Sequence, residues 1–525
     1  MKRCPQCGRE YDITMMFCLD DGTELLYGPA SGSSLGNEPQ TVLFPERPER
    51  GEGAAAIIGG IDPVKPAANN SIAVLPFANI SADEENEYFC DGLAEELLNA
   101  LAKIEDLKVA ARTSAFSFRG KNVEAREIGK TLGVNTVLEG SVRKSGKRIR
   151  INVQLVSAAD GYQLWSERYD REMRDIFDVQ DEIAVAVTDA LKIKLLGDEK
   201  TAVLKRHTQS PEAHEYYLRG LSHFNKWTPH DFEKAIENFE RAIEIDVNYA
   251  SAYAALADAY TELLFFSFSA GDVRPKAREA ARKALELDDR LAEAHSSMAL
   301  IKMYLDWDFT AAEAEFRRAI ELNPGSAYVH MWYGWFLALM GRFDESLVEL
   351  RRGHEFDPLS PPNNNAIGVN FHWSRQPERA IAQILDVLEL NPDYPVSVSF
   401  LAEAYVQAGD MLSAVSTVER SVPAAMDPQA LAVAGYVYAR AGDSEKADGI
   451  LKEFERRKEH GNVSSLNFAQ IYSSLGLTEE AFGWLEKAFE ERAIWLPFLK
   501  VDVKFDPLRD DPRFKELVRR VGIPE

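Results

Sequence analysis

Three cysteines stand within the first 18 residues, Cys4, Cys7 and Cys18, and Asp21 completes a repeated spacing. Cys4-x-x-Cys7-Gly8 is echoed by Cys18-x-x-Asp21-Gly22. Thiolates three residues apart in a tight turn can face one cation, and the glycine that follows lets the backbone fold beneath it. Cys4, Cys7, Cys18 and Asp21 therefore predict a structural zinc site of three thiolates and one carboxylate, a donor set that is allowed but less usual than four thiolates. A catalytic zinc needs an open position and a nearby base, and this short stretch supplies no pocket for them. Holding three of the chain's four cysteines, the stretch argues for a metal site in a reducing, cytoplasmic setting and against a disulfide framework.

A second group of reactive side chains follows. Asp91, Glu95, Glu96 and Glu139 are candidate acids, Arg112, Arg119 and Arg143 candidate anion binders, and Cys90 a thiol beside a helix start. Ordinary roles account for them. Asp91 reads as an N-cap, and Glu95 and Glu96 as first-turn acids favoured by the helix dipole. Arg143 flanks a solvent turn, and Cys90 reads as a small buried apolar residue. The sequence holds no phosphate-binding glycine loop, nucleophile elbow, kinase signature or paired histidines at metal spacing. No catalytic residue is assigned, and zinc is the cofactor expected.

The 525 residues carry a net charge of −24, with 46% hydrophobic and 27% charged residues. Such an acidic surface disfavours non-specific binding to nucleic acid or anionic membrane and leaves room for a basic protein partner. No apolar run approaches the length of a membrane span. The opening Met-Lys-Arg runs straight into Cys4 without an apolar core, so no secretory signal is expected.

The elements that must position these groups fall in order. Residues 1–26 form the small metal module. Residues 27–70 are rich in Gly, Pro, Ser, Ala and Glu and predict a disordered linker. From Ser71 an α/β domain of residues 71–197 begins. It opens on an all-apolar strand at 72–77, then a helix at 93–101, a strand at 107–111 and a helix at 123–132. Strands at 136–143, 148–156 and 162–169 follow, joined by turns at 144–147 and 160–161, and a helix at 176–196 closes the domain.

Downstream a phrase recurs: Ala319-Ile-Glu-Leu-Asn-Pro324, Gly353-His-Glu-Phe-Asp-Pro358 and Val387-Leu-Glu-Leu-Asn-Pro392, at a step of 34 residues. That period marks stacked helical hairpins. Small residues recur where the helices of a hairpin touch (Gly334, Gly368, Ala402, Gly435), and turn glycines recur at Gly341, Gly409, Gly442 and Gly476. Residues 497–525 predict a C-terminal capping helix, which such arrays need to shield their last apolar face.

Resemblances add to this reading. The N-terminal cysteine pattern resembles a short bacterial zinc ribbon with one ligand changed. The motifs Ile72-Ala-Val-Leu-Pro-Phe77, Tyr88-Phe-Cys-Asp-Gly-Leu-Ala-Glu-Glu-Leu97, Ala111-Arg-Thr-Ser114, Val137-Leu-Glu-Gly-Ser-Val142 and Leu164-Trp-Ser-Glu-Arg-Tyr-Asp170 resemble the TolB-like amino-terminal (FlgO-like) domain of bacteria. The 34-residue pattern is similar to tetratricopeptide repeats, with about eight units over 212–496. The fold class expected is thus multidomain: a small zinc ribbon, a compact α/β domain with a mixed sheet and three helices, then an all-α tetratricopeptide-repeat solenoid.

In such arrays the first helices line a concave groove. The resemblance places Tyr304, Met331, Trp335, Asn365, His372, Trp373, Glu403, Gln407, Tyr436 and Arg440 along it, a mixture of aromatic and polar groups suited to a protein or peptide partner. The expected function is a non-enzymatic bacterial scaffold or adaptor in signalling or envelope-linked regulation. The alternatives are a transcriptional or signalling regulator whose ribbon contacts nucleic acid or a protein, and an α/β domain that hydrolyses or transfers a group.

Overall fold

The computed structural model describes residues 2–3, 10–11, 70–81, 86–104, 106–172, 175–193, 203, 206–266, 273–392, 394–421, 427–458 and 463–524. The chain forms two compact units, Met1–Ala55 and Ala56–Glu525. In the first, β1 (Lys2–Arg3) and β2 (Glu10–Tyr11) pair antiparallel, Lys2 opposite Tyr11. Cys4, Cys7, Cys18 and Asp21 lie outside the described residues, as does nearly all of the predicted linker.

The second unit starts with β3 (Ser71–Val74), whose apolar side chains are buried on both faces as its sequence requires. Next come β4 (Ala78–Asn79), α1 (Glu87–Leu101), β5 (Lys108–Val109), α2 (Arg112–Phe116) and α3 (Ala125–Leu132). The meander β6 (Thr136–Ser145), β7 (Arg148–Ser157) and β8 (Gln163–Glu172) follows, and α4 (Ile176–Ala190) ends the domain. The sheet order is β5-β3-β6-β7-β8, with β4 beside β6. β3 runs parallel to β5 and β6, and the meander is antiparallel, so the sheet is mixed. α1 and α4 pack together on one side, and α3 covers a smaller core of Ala73, Ala110, Ile128, Leu132 and Val137. Two local expectations change because α1 begins at Glu87: Asp91 is an interior helical residue paired with Arg119 and not an N-cap, and Glu95 and Glu96 lie in the second half of the helix and not in its first turn.

From Pro211 onward eight helix pairs follow: α5 (Pro211–Phe224) with α6 (Pro229–Ile245), α7 (Ala250–Phe266) with α8 (Val273–Leu287), α9 (Ala292–Ile301) with α10 (Phe309–Leu322), α11 (Ala327–Leu339) with α12 (Phe343–Phe356), α13 (Pro361–Trp373) with α14 (Pro377–Leu390), α15 (Pro395–Ala408) with α16 (Met411–Ser421), α17 (Pro428–Arg440) with α18 (Ser444–Lys458), and α19 (Ser465–Ser474) with α20 (Thr478–Glu490). Ser210, Thr228, Ser326, Ser360, Asp427 and Ser464 cap their helices with side-chain oxygens, several just before a first-turn proline. Two glycines show why the repeat needs them. Gly409 ends α15 at φ 82, a left-handed conformation costly for other residues. Gly334 on α11 lies so close to α12 that a Cβ there would stand 2.6 Å from Leu350.

The residues predicted as one capping helix divide. Leu496–Lys500 and Val503–Leu508 are short 3-10 turns, each containing a proline, and only α21 (Pro512–Val521) is α-helical. The array also curls back on itself. Arg492 donates to the Leu305 carbonyl at 3.0 Å, and Arg274 to the Glu491 carbonyl at 3.3 Å. The end of the eighth hairpin therefore meets the second and third.

The α/β domain is docked on the array by specific bonds. The Ala111 N–H donates to the Phe356 carbonyl at 2.8 Å. The Ser114 N–H donates to the Asp357 carboxylate at 2.9 Å, and the Ser114 hydroxyl binds the same oxygen while accepting from the Leu359 N–H at 2.8 Å. Asp357 belongs to the recurring six-residue phrase. Ser114→Ala leaves this buried carboxylate and the Leu359 N–H short of a partner, and is expected to cost about 2–3 kcal/mol. Urea unfolding followed by tryptophan fluorescence measures this. A loss within error of zero means that the junction carries no energy.

Candidate functional site

The first helices of neighbouring hairpins pack side by side, α5 on α7, α7 on α9, α11 on α13, α13 on α15, α15 on α17 and α17 on α19. They build a curved inner wall, and the predicted groove residues stand on it. Most of them are covered by the chain itself. A π-helical turn, Lys302–Asp306, extends α9 and carries Tyr304 into an aromatic cluster. Phe498, from the C-terminal segment, lies at its centre: ring centroids are 5.1 Å to Trp373, 5.9 Å to Trp335 and 6.0 Å to Tyr304. Trp335 and Trp373 meet edge to face at 4.9 Å, and Phe400 and Trp495 complete the shell. Such pairs add to the burial of the rings themselves.

Six residues further on, Lys504 enters the same wall. It is 4% exposed and its Nζ donates to Glu403 Oε1 at 2.7 Å and lies 3.2 Å from Asp502. Glu403 Oε2 stands 3.2 Å from His372 Nε2, and Lys504 Nζ sits 5.9 Å from the Tyr436 ring centre. Burial pushes the Glu403 carboxyl up, but the Lys504 ammonium and His372 outweigh it and hold the group well below the usual carboxylate range. Burial likewise presses Lys504 down, and Asp502 and Glu403 more than offset it, so its pKa is raised. Both members of the pair stay charged.

The structure thus joins Tyr304, Trp335, His372, Trp373, Glu403 and Tyr436 through two C-terminal residues. Asn365 is buried and accepts from the Ser397 hydroxyl at 2.7 Å. Met331 lines a separate cavity, Gln407 is half-buried, and Arg440 is exposed. The groove was expected to await a partner, yet in this structure residues 494–508 lie in it. The residues that sequence reasoning missed are Phe498 and Lys504. Their signal was present: Leu496, Phe498, Leu499, Val501, Val503, Phe505 and Leu508 are all buried, more apolar surface than one face of a capping helix can use.

The amino-terminal part of the inner wall is covered differently. α1 and α4 lie over it, with Leu218 of α5 against Gly92 of α1. A cavity of about 370 Å³ remains between α1 and α4 on one side and α5, α7, α9, α11 and α13 on the other. Its polar lining includes Glu96, His214, Asp258, Glu293, Ser296 and Asn363.

The remaining candidates for chemistry are in ordinary service. Asp91 and Glu95 pair with Arg119 and Arg112, and Glu139 accepts from Gln154. Cys90 is fully buried, and burial pushes its thiol up to about 12. No cluster of metal-ligating side chains occurs among the described residues, and no helix among them is long and apolar enough to cross a membrane.

The fold is a helical-hairpin solenoid of tetratricopeptide-repeat type behind a mixed-sheet domain, and a tetratricopeptide-repeat family model matches residues 308–361. The sequence motifs pointed to a TolB-like domain; the family model that matches there, over residues 68–186, is the HilA/YgeH-like transcriptional regulator, second domain. In Rhizobium meliloti, the protein named "Putative adenylate cyclase 3" is 37% identical over 255 residues, 48% of this chain and 42% of that protein. "Transcriptional regulator HilA" of Salmonella typhimurium is 29% identical over 158 residues, 30% of this chain and 28% of that protein. The chain therefore spans less than half the length of either relative. The solved structure of pilF from Pseudomonas aeruginosa shares 22% identity and a TM-score of 0.30, covering 38% of this chain and 90% of that one; likeness of this degree carries nothing on function.

Two substitutions test the filled groove. Trp373→Ala should cost about 3–5 kcal/mol, as for a large aromatic removed from a packed core. Lys504→Met leaves Glu403 buried and unpaired and should cost about 3–5 kcal/mol, much of which Glu403→Gln in the same chain restores. Because the Glu403 pKa is depressed in the folded chain, its share of stability is present above the ordinary carboxylate range and lost as pH falls below it. Urea titrations of the three variants at neutral pH read the costs, and a wild-type series carried down to acidic pH reads the loss of the Glu403 share. A stable Lys504→Met chain refutes the pairing.

Proposed function

We propose that this chain is a non-enzymatic bacterial scaffold in signalling or envelope-linked regulation, and that it holds a protein partner on its outer surface. The observation that carries the reading is β8. It is an outer strand of the sheet, ten residues long; Tyr162, just before it, and Leu164, its second residue, are 73% and 52% exposed. An outer strand offers backbone donors and acceptors to an incoming segment, and side chains beside it supply selectivity. The concave wall is already engaged by residues 494–508, which leaves Arg440 as the exposed member of the predicted set.

The relatives support a regulatory setting. One is named as an adenylate cyclase and another as a transcriptional regulator, and both share a stretch with this chain. We read the α/β domain as a module that serves different outputs. A second reading, regulation through nucleic acid, is favoured by the HilA match. Gel shifts with the full chain that weaken steeply with salt would bring that reading forward. Cys4, Cys7, Cys18 and Asp21 are proposed to hold a structural zinc in a cytoplasmic protein. Metal analysis should find about one zinc per chain, falling on Cys4→Ser.

The partner is tested by affinity capture from the native host, comparing the wild-type chain with the Tyr162→Lys, Leu164→Lys double variant. A specific protein should be recovered with the first and lost with the second, while thermal unfolding is unchanged. Equal recovery by both places the interface elsewhere and overturns the β8 assignment.

A further inference from the structure

The cavity beneath α1 is the portion of the inner wall that neither α1, α4 nor the C-terminal segment fills. Its volume, about 370 Å³, lies in the range of small-molecule sites and is far too small for a helix or strand of a partner. Its lining mixes apolar side chains with buried polar ones. Ser296 and His214 are 1% and 3% exposed, and the Ser296 hydroxyl and His214 Nε2 have no hydrogen-bond partner in the protein. The same holds for both amide atoms of Asn363 and one carboxylate oxygen of Asp258. Buried polar atoms left in this state cost free energy unless something supplies the missing bonds.

The charges around the cavity are unbalanced. Arg112 is paired with Glu95, and Arg206 with Asp178 and Asp181. Asp357 is taken up by Ser114. Glu96 and Asp258, both half-buried, and the exposed Glu293 remain, on three different helices, with Lys103 the cation that acts on Glu96 and His207 also in the lining. Aromatic rings of Tyr217, Tyr249 and Phe177 stand among them, a wall that suits a cationic group. Burial, with Glu95 and Glu293 adding repulsion at Glu96 against the pull of Lys103, pushes Glu96 up to about 7. Burial, eased by a bond from Ser297 and reinforced by Glu293, does the same to Asp258.

We infer that this cavity is a binding site for a small organic cation, an aliphatic amine or guanidine, whose charged group is received by Glu96, Asp258 and Glu293 and whose other polar atoms are received by His214, Ser296 and Asn363. The inference goes beyond the scaffold reading and does not depend on β8. It gives the α/β domain a reason to lie over the array: the ligand touches both, so its presence tightens or loosens their junction.

Isothermal titration calorimetry on the full chain tests it, with putrescine, spermidine and L-arginine as probes and glycerol and citrate as neutral and anionic comparators. At least one cation should bind with micromolar affinity and raise the melting temperature, and the comparators should not. Affinity should be higher at pH 8 than at pH 6, because both acids are ionised above about 7. The isosteric double variant Glu96→Gln, Asp258→Asn should weaken binding by about tenfold or more. The inference is overturned if none of the three cations gives heat or a melting shift with the wild-type chain. It is equally overturned if glycerol or citrate binds as well, or if the folded double variant binds undiminished. Ser296→Ala, which creates no bulk, gives an independent readout through a smaller loss.

Discussion

The concave wall of a helical-hairpin array is an apolar surface that must be covered, and in this chain the cover comes from the chain itself. Leu496, Phe498, Leu499 and Phe505 are among the side chains that seal it. At about 1.5–3 kcal/mol for each large apolar side chain, those four contribute on the order of 10 kcal/mol. That equals the net stability of a whole domain. A segment held this firmly is a structural element and not a lid that opens on demand. The rest of the architecture follows: the curl that brings Arg492 to Leu305 and the position of α21.

Apolar burial alone would leave the segment free to slide along the wall. The Lys504–Glu403 pair fixes its register, since a shift by one residue would strand two buried charges. The other end of the molecule uses the same device. In the recurring phrase the residue before proline is Asn323 or Asn391, but Asp357 in the hairpin that touches the α/β domain. The carboxylate accepts two bonds from Ser114. A departure from the repeat consensus thus marks the point where the array makes a non-repeating contact.

What the sequence made legible was local. The 34-residue step, the turn glycines, the first apolar strand and the hairpin strands each depend on neighbours a few residues away, and those elements are present, although the first strand spans Ser71–Val74 and stops short of Phe77. What stayed hidden was non-local. Trp335 and Trp373 have the composition of a binding hot spot and also of a core; only the arrival of Phe498, more than a hundred residues on, decides between them. Asp91 looked like a cap because the apolar spacing of the helix begins at Leu93, yet α1 starts at Glu87 and Gly92 is needed to admit Leu218. Glu96 and Asp258 reveal nothing by spacing, since they meet only when α1 is laid over α7.

Order of synthesis gives the closing contact between Arg492 and Leu305, 187 residues apart, a further meaning. Hairpin arrays ordinarily fold from one end as they emerge, each unit resting on the one before. Here the third to fifth hairpins leave the ribosome well before residues 494–508, which line their hollow. Until that segment emerges, this part of the inner wall stands wet and apolar, the condition that invites chaperones and mispairing. Closure of the wall therefore waits on residues 494–508, which act as the keystone for hairpins already made.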